Sequence, residues 1–237
     1  MSTYSVEFLI RTFFICLKAI PVTLYLAAVT LLVSIPLGFV FALIRLRQKG
    51  IAAHFAGAYI TVFRGVPIVI QILLLYDMFP PIFAGFLKAA GVSYNIYNLN
   101  PVIYALIIFS LSTTAGLSEV FRSALATVDK SQMEAAETAG LTRFQAYRRI
   151  ILPQALASAL PNICTSTVNL IKMTSLAFFM TVKEITAVAK VAAGVGYNYF
   201  EAYTDIWLIY IIVCLAVERL FKVFEKKITL YKSAQER

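Results

Sequence analysis

The chain has 237 residues, 60% of them hydrophobic and 14% charged, with mean hydropathy +0.81. Soluble domains carry about 25% charged and about 45–50% apolar residues. The composition therefore excludes a disordered chain, a coiled coil and a disulfide scaffold, and it leaves too little polar surface to clothe a soluble enzyme. A polytopic, all-α membrane protein remains, and the net charge of +9 has to be read by its placement.

Residues 1–18 mix Glu7, Arg11 and Lys18 with Phe8, Leu9, Ile10, Phe13 and Phe14. That mixture suits an interfacial helix and lacks the short apolar core and small-residue cleavage site of a secretory signal. Five stretches are long enough to span about 30 Å of hydrocarbon with about 20 residues. They are 21–44, closed by Arg45, Arg47 and Lys49; 59–79, closed by Pro80 and Pro81; 101–120, with Pro101 at the first position; 155–180; and 203–221, with Trp207 and Tyr210 as interfacial anchors. Cys16, Cys164 and Cys214 all lie in apolar runs and read as small hydrophobes, so neither a disulfide nor a metal site is expected. The expected organisation is an interfacial segment at 1–18, one transmembrane domain at 19–222 containing a long loop at 123–153, and a basic tail at 223–237.

Five spans put the termini on opposite sides. One side collects four basic residues between Arg45 and Arg64, five between Arg122 and Arg149, and six from Arg219 onward; the other holds Arg11, Lys18, Lys88, Lys183 and Lys190. The positive-inside rule places the N-terminus outside and the C-terminus in the cytoplasm. The excess charge is thus a topology signal and no nucleic-acid partner is expected.

The loop 123–153 carries the most specific pattern. Ser131 to Glu134 reads as a capping box, Gly140 as a left-handed stop, and Thr142 to Gln145 as a second capping box. The second helix would place Phe144, Tyr147 and Ile151 on one stripe, with a change of direction at Pro153. Two short, stiff helices joined at a glycine suit a contact with another protein better than a solvated connector.

Glu134-Ala135-Ala136, Gly140, Ile150 and Leu152-Pro153 resemble the EAA motif of the permease subunits of type I ATP-binding-cassette (ABC) importers, with all seven marked positions matched. A chance match is on the order of 10⁻⁵ per chain of this length on average composition. Phe63-Arg64-Gly65-Val66-Pro67 with Gln71, the stretch from Ala115 through Glu119 to Arg122, and Leu170 to Leu176 are similar to segments of the polar amino-acid uptake branch. Val66 stands where that branch usually has Thr. The resemblance implies the type I importer transmembrane fold and a multi-pass place in the bacterial cytoplasmic membrane. It also implies a polar amino acid as substrate, cystine or a related one, with cationic and amide side chains equally open. The loop would be a coupling helix seated on a separate ATPase dimer, since the chain has no P-loop; ATP and Mg would sit on that partner, with no cofactor here. An extracytoplasmic substrate-binding protein and a second permease, identical or paralogous, complete the implied assembly. The chain would be a transport subunit and not an enzyme. The alternative from another class is an ion-coupled secondary amino-acid transporter, against which stand the EAA frame and the lack of an inverted repeat.

Polar groups at membrane depth face a bundle interior or a water-filled path. Thr114 and Glu119 in the third span read either as path lining or as interhelical hydrogen bonding with a Glu119–Arg122 pair. In the fourth span Asn162, Asn169, Lys172 and Thr174 form the candidate path sector. Lys172 either attracts a substrate carboxylate, pairs with Asp77 or Glu119, or snorkels outward. Asp77 is expected at the outer mouth, and His54 reads as incidental.

Overall fold

The computed structural model describes residues 5–47, 50–92 and 95–235, with side chains up to 226. Lys49, Arg237 and the side chains of Lys227 and Lys232, which enter the charge count, lie outside the described residues, as do the other side chains of the tail from 227 onward. Every regular element among the described residues is helical.

Helix α1, Val6–Leu46, starts at Ser5, whose side chain accepts from the Phe8 amide at 3.2 Å. It runs through Pro21 and Pro36 without a break, so the expected interfacial segment and first span form one helix of 41 residues. At 1.5 Å per residue that is about 60 Å, twice the hydrocarbon thickness. Ser34, Gly38 and Ala42, four apart, are buried against α5, Pro101–Ala126. A Cβ on Gly38 would sit 3.0 Å from Leu117 Cβ and 3.2 Å from the Ser118 amide, and Ser34 donates to the Ser110 carbonyl at 3.1 Å. Small residues let the two backbones touch, which is how helices gain dispersion energy where lipid offers no hydrophobic drive.

The second expected span is displaced. Helix α2, Ile51–Gly65, ends at the Val66-Pro67 step, and α3, Ile68–Leu73, begins a new helix. A π-helical turn, Leu74–Met78, leads into α4, Phe79–Ala89. Pro80 and Pro81 do not close the span. They fall in the first turn of α4, where a missing N–H is tolerated, and the apolar helix extends from Ile68 to Ala89. A 3₁₀ turn, Ile96–Asn98, precedes α5, which Asn100 caps by accepting from the Val102 amide at 3.0 Å, with Pro101 at the first position as expected.

Helices α6, Lys130–Thr138, and α7, Arg143–Ala146, form the long loop. Helix α7 passes through a π-helical turn, Tyr147–Ile151, into α8, Leu152–Met173, and on through a 3₁₀ segment, Thr174–Met180. The expected change of direction at Pro153 is therefore absent: the π-helical turn accommodates the proline, and Arg143–Met180 is one helical run of 38 residues. Helix α9, Ile185–Gly196, is short, apolar and unforeseen from the sequence, and α10, Tyr199–Gln235, completes the chain.

Four helical stretches among the described residues are long and apolar enough to cross a membrane, namely Val6–Leu46, Ile68–Ala89, Pro101–Ala126 and Arg143–Met180. The sequence leads one to expect five. Helix α10 carries Glu201 and Asp205 near its start and Glu218 and Arg219 further on, so its charge-free part is only 206–217. The main core, with Leu26, Phe109, Ile171, Met180, Ile185 and Ile209 fully buried, ties α1, α5, α8, α9 and α10 together.

Glu184 anchors α9. It is fully buried, accepts from the Thr186 and Ala187 amides at 2.8 Å each, and receives the Tyr210 hydroxyl at 3.1 Å. Burial pushes its carboxyl up from 4.5 to about 7, against the lowering effect of those bonds. The folded chain thus holds this proton more tightly than the unfolded chain. The group's favourable contribution is full below the unfolded value and is lost as pH rises toward 7. Thermal unfolding of the purified protein should therefore show a melting temperature that falls between about pH 5 and about pH 8, and Glu184→Gln should flatten that slope. Equal slopes for wild type and variant would remove the burial argument.

Candidate functional site

The loop between α5 and α8 is built by local bonds. Asp129, and not Ser131, caps α6: its carboxylate accepts from the Ser131 amide at 2.8 Å, and this bond holds it below the usual carboxylate range. The expected Ser131–Glu134 box is corrected accordingly, because Asp129 lies two residues upstream and is the stronger acceptor. At the other end Gly140 has φ +82°, its amide donates to the Glu137 carbonyl at 3.0 Å, and the Leu141 amide donates to Ala136 at 3.0 Å. That is a Schellman closure, which favours glycine at its left-handed position. Helix α7 opens with the expected box: Thr142 accepts from the Gln145 amide at 3.3 Å and Gln145 Oε1 accepts from the Thr142 amide at 2.9 Å.

Of the seven motif residues, Ala136 is buried and Ile150 and Leu152 pack against a small core of Leu125, Ile151 and Ala155; Glu134, Ala135, Gly140 and Pro153 are exposed. The second stripe is corrected in part, since Ile151 is buried and Tyr147 half-buried but Phe144 is 75% exposed. Its neighbour Ala146 takes the inward position instead. The two acids of α6 differ. Glu137 is held by Arg143 at 2.9 Å, whereas Glu134 has no ion-pair partner among the described residues. The loop therefore presents one uncommitted carboxylate beside an exposed alanine, a glycine and a bare phenylalanine, on a stem continuous with α8.

The Phe63-to-Gln71 segment is a fixed break. Gln71, 6% exposed, donates from Nε2 to the carbonyls of Phe63 at 2.9 Å and Val66 at 2.8 Å, satisfying groups that the interruption at Pro67 leaves open. Glu119 sits in an ion-pair cluster: Arg45 takes one carboxylate oxygen, and Arg122 brings Nε and Nη2 to 2.9 Å from the other. It therefore pairs with α1 and with its own helix, and not with Lys172. Thr174 is buried and donates to the Ile171 carbonyl at 2.6 Å, and Thr114 is buried. Asn162, Asn169 and Lys172 stand together on an exposed face of α8. A cavity of about 310 Å³ between α8 and α10 is lined by Thr165, Asn169, Lys172, Glu218 and Lys222, and a second of about 200 Å³, between α5 and α8, also takes Asn169 into its wall with Ser112 and Ser166. Among the described residues no group of His, Cys, Asp or Glu could hold a metal ion.

A helical membrane bundle with a capped, exposed helix pair grafted onto one long helix defines a class of transport subunit, and the comparisons agree. Residues 34–230 match the family of binding-protein-dependent transport system inner membrane components, and the chain belongs to that family. It is 36% identical over 226 residues to the probable amino-acid permease protein YxeN of Bacillus subtilis (strain 168), covering 95% of this chain and 96% of that one. It is 33% identical to the L-cystine transport system permease protein TcyL of the same organism, covering 88% and 85%. Its fold is similar to that in a crystal structure of an amino acid ABC transporter with histidines, with a TM-score of 0.77, 26% identity, and coverage of 94% of this chain and 99% of that one. The chain is accordingly an ABC importer permease, a transport subunit and not an enzyme, and a multi-pass protein of the plasma membrane. The ion-coupled alternative falls.

Helix α9 and its buried acid Glu184 are not foreseen from the sequence. A signal was present in Glu184-Ile185-Thr186-Ala187, an acidic residue directly before an apolar run, but that run is too short to register as a span.

Proposed function

We propose that this chain carries a polar amino acid across the bacterial cytoplasmic membrane in a complex with two ATPase subunits, a second permease and an extracytoplasmic binding protein. The observation that carries the reading is the loop: an exposed helix with a free Glu134, closed at Gly140 and mounted on the unbroken run Arg143–Met180. A displacement of the loop by an ATPase is passed to α8 through α7, which is continuous with it, and through the packing of Ile150 and Leu152. ATP and Mg act on the partner, whose closure would swing the spans between inward- and outward-facing arrangements. The relatives' printed substrates, amino acids in general and L-cystine in one case, support the substrate class.

Helix α10 is the fifth span in this reading. Its early acids are hidden inside the chain, Glu201 2% and Asp205 0% exposed, so they do not face lipid. Five spans and the basic loops support an N-terminus outside, and the loop 123–153 and the tail inside. The domain division in this reading is an interfacial segment at 1–18, a transmembrane domain at 19–222 and a basic tail at 223–237, with α1 continuous across the first boundary. The coupling residues are Glu134, Ala135, Ala136, Gly140, Ile150, Leu152 and Pro153, and the path is lined chiefly by Asn162, Asn169 and Lys172, with Thr114, Glu119 and Thr174 supporting it from behind.

Proteoliposomes holding the full complex should take up the amino acid only with ATP inside and binding protein outside. Uptake driven by an ion gradient alone would overturn the reading. For topology, a cysteine at Lys130 in intact cells should resist an impermeant thiol reagent and react after permeabilisation; labelling from outside would invert the orientation.

A further inference from the structure

The cleft at the start of α5 is not used by the loop or by the α8 stripe. It has a volume of about 470 Å³, within the range of small-ligand sites. Its walls come from the π-helical turn before α4 and from the segment 97–104, and they include Tyr76, Asp77, Tyr97, Asn98 and Tyr104. Three features agree in sign. The rings of Tyr76 and Tyr104 meet edge to face at 90° with centroids 5.4 Å apart, forming an aromatic corner in the wall. Tyr104 is 6% exposed and its hydroxyl donates to the Ile96 carbonyl at 3.2 Å, so the corner is held in place, while Tyr97, 64% exposed, stands at the rim. Asp77 is the one charged residue among the described lining groups, is exposed, and has no salt-bridge partner among the described residues.

The third feature is the Tyr76 carbonyl. In an α-helix its donor is the amide four residues on and in a π-helix five residues on, and those positions are Pro80 and Pro81, which have no N–H. The cleft is thus walled by a carboxylate and tyrosine rings, beside a turn whose Tyr76 carbonyl lacks its α or π donor. Acceptors of this kind suit a cation that carries N–H donors. An anion would meet the Asp77 charge, and an apolar group would leave that charge unpaired.

We propose that this cleft binds a guanidinium or ammonium group at the extracytoplasmic mouth of the permease. Its functional side rests on the importer reading above. Two sources share this chemistry: a Lys or Arg side chain of a protein docked on the outer face, and the head of a free cationic solute.

The test uses the full complex in lipid nanodiscs, with fluorotyrosine incorporated and the Tyr97 resonance assigned by Tyr97→Phe. Ethylguanidinium is titrated against its neutral isostere ethylurea and followed by fluorine NMR. A saturable shift with ethylguanidinium alone, weakened about tenfold or more by Asp77→Asn, is expected. Equal shifts with ethylurea, or undiminished binding by Asp77→Asn, would overturn the site. In the functional arm, Asp77→Asn should raise about fivefold either the binding-protein concentration that half-saturates ATPase stimulation or the KM for uptake with docking unchanged. The first outcome identifies a protein side chain and the second a free solute. Selective probe binding with neither constant moved overturns the functional assignment. A wild-type complex whose ATPase ignores the binding protein would instead fail the importer reading, and the probe titration alone would then decide the cleft.

Discussion

Glu134→Lys is expected to lower ATP-driven uptake by about 100-fold or more in the reconstituted complex, while the variant still inserts and folds. The side chain is exposed and makes no ion pair among the described residues, so no internal contact is lost. The fold at this end is held by other bonds: the Asp129 cap, the Glu137–Arg143 pair, the Gly140 closure and the buried Ala136. A carboxylate seated against a basic partner and replaced by a cation loses its attraction and adds like-charge repulsion. At an interface such a juxtaposition costs several kcal/mol, and each ~1.4 kcal/mol is a factor of ten. The comparison that isolates the effect is Glu137→Lys. It breaks a pair between residues 39% and 86% exposed, which is worth at most about 1 kcal/mol. Melting temperature, membrane insertion and co-purification of the ATPase separate the cases. Glu134→Lys should keep the first two and lose the third together with uptake. Normal uptake by this variant would remove Glu134 from the coupling surface.

Much of this loop is legible in the residues. The Thr142–Gln145 box and the Gly140 stop depend on bonds spanning three to five positions, and nothing distant competes with them. The first cap is mistaken because two acceptors, Asp129 and Ser131, stand two residues apart, and the pattern of Ser131 with Glu134 hides the better one upstream. Span boundaries fail for a different reason. Pro81 reads as a stop and Pro153 as a turn, yet each follows a π-helical turn whose changed register leaves the proline without a carbonyl to clash with. Burial choices are the least legible. The Glu119–Arg122 pair at i, i+3 is legible in the sequence, whereas Arg45 joins it only through the approach of α1. The Ser34, Gly38 and Ala42 series is the sequence sign of that approach.

Lys172→Met should reduce uptake at least about tenfold with assembly intact. Asn162, Asn169 and Lys172 fall at i, i+7 and i+10, within roughly 80° of one another at 100° per residue. The structure leaves all three on the exposed side of α8. It also removes two of the alternatives for Lys172, since Glu119 is taken by Arg45 and Arg122, and Asp77 lines the separate cleft at the start of α5. A lysine facing hydrocarbon at the centre of a span costs about 2.5–3.5 kcal/mol on insertion scales, and two asparagines beside it add to that. Unless Lys172 snorkels to the outer interface, the stripe faces a second protein or water. The cavity of about 310 Å³ beside it has Thr165 and Asn169 as polar walls and Glu218, Lys222 and Glu225 as charged ones, and it has room for water. If Lys172 attracts a substrate carboxylate, Met keeps the length and apolar stem and removes only the charge, so the KM for uptake rises while binding-protein docking and ATPase assembly stay unchanged. Leu170→Met is the control: Leu170 is 1% exposed in the core, and a volume-conserving swap there costs less than about 1.5 kcal/mol. If Lys172 instead pairs with an acid of the second permease, its loss leaves that acid unpaired at the interface, and Lys172→Met then yields fewer intact complexes with normal transport per complex. Transport per complex, measured by quantifying permease and ATPase in the same proteoliposomes, separates the two outcomes.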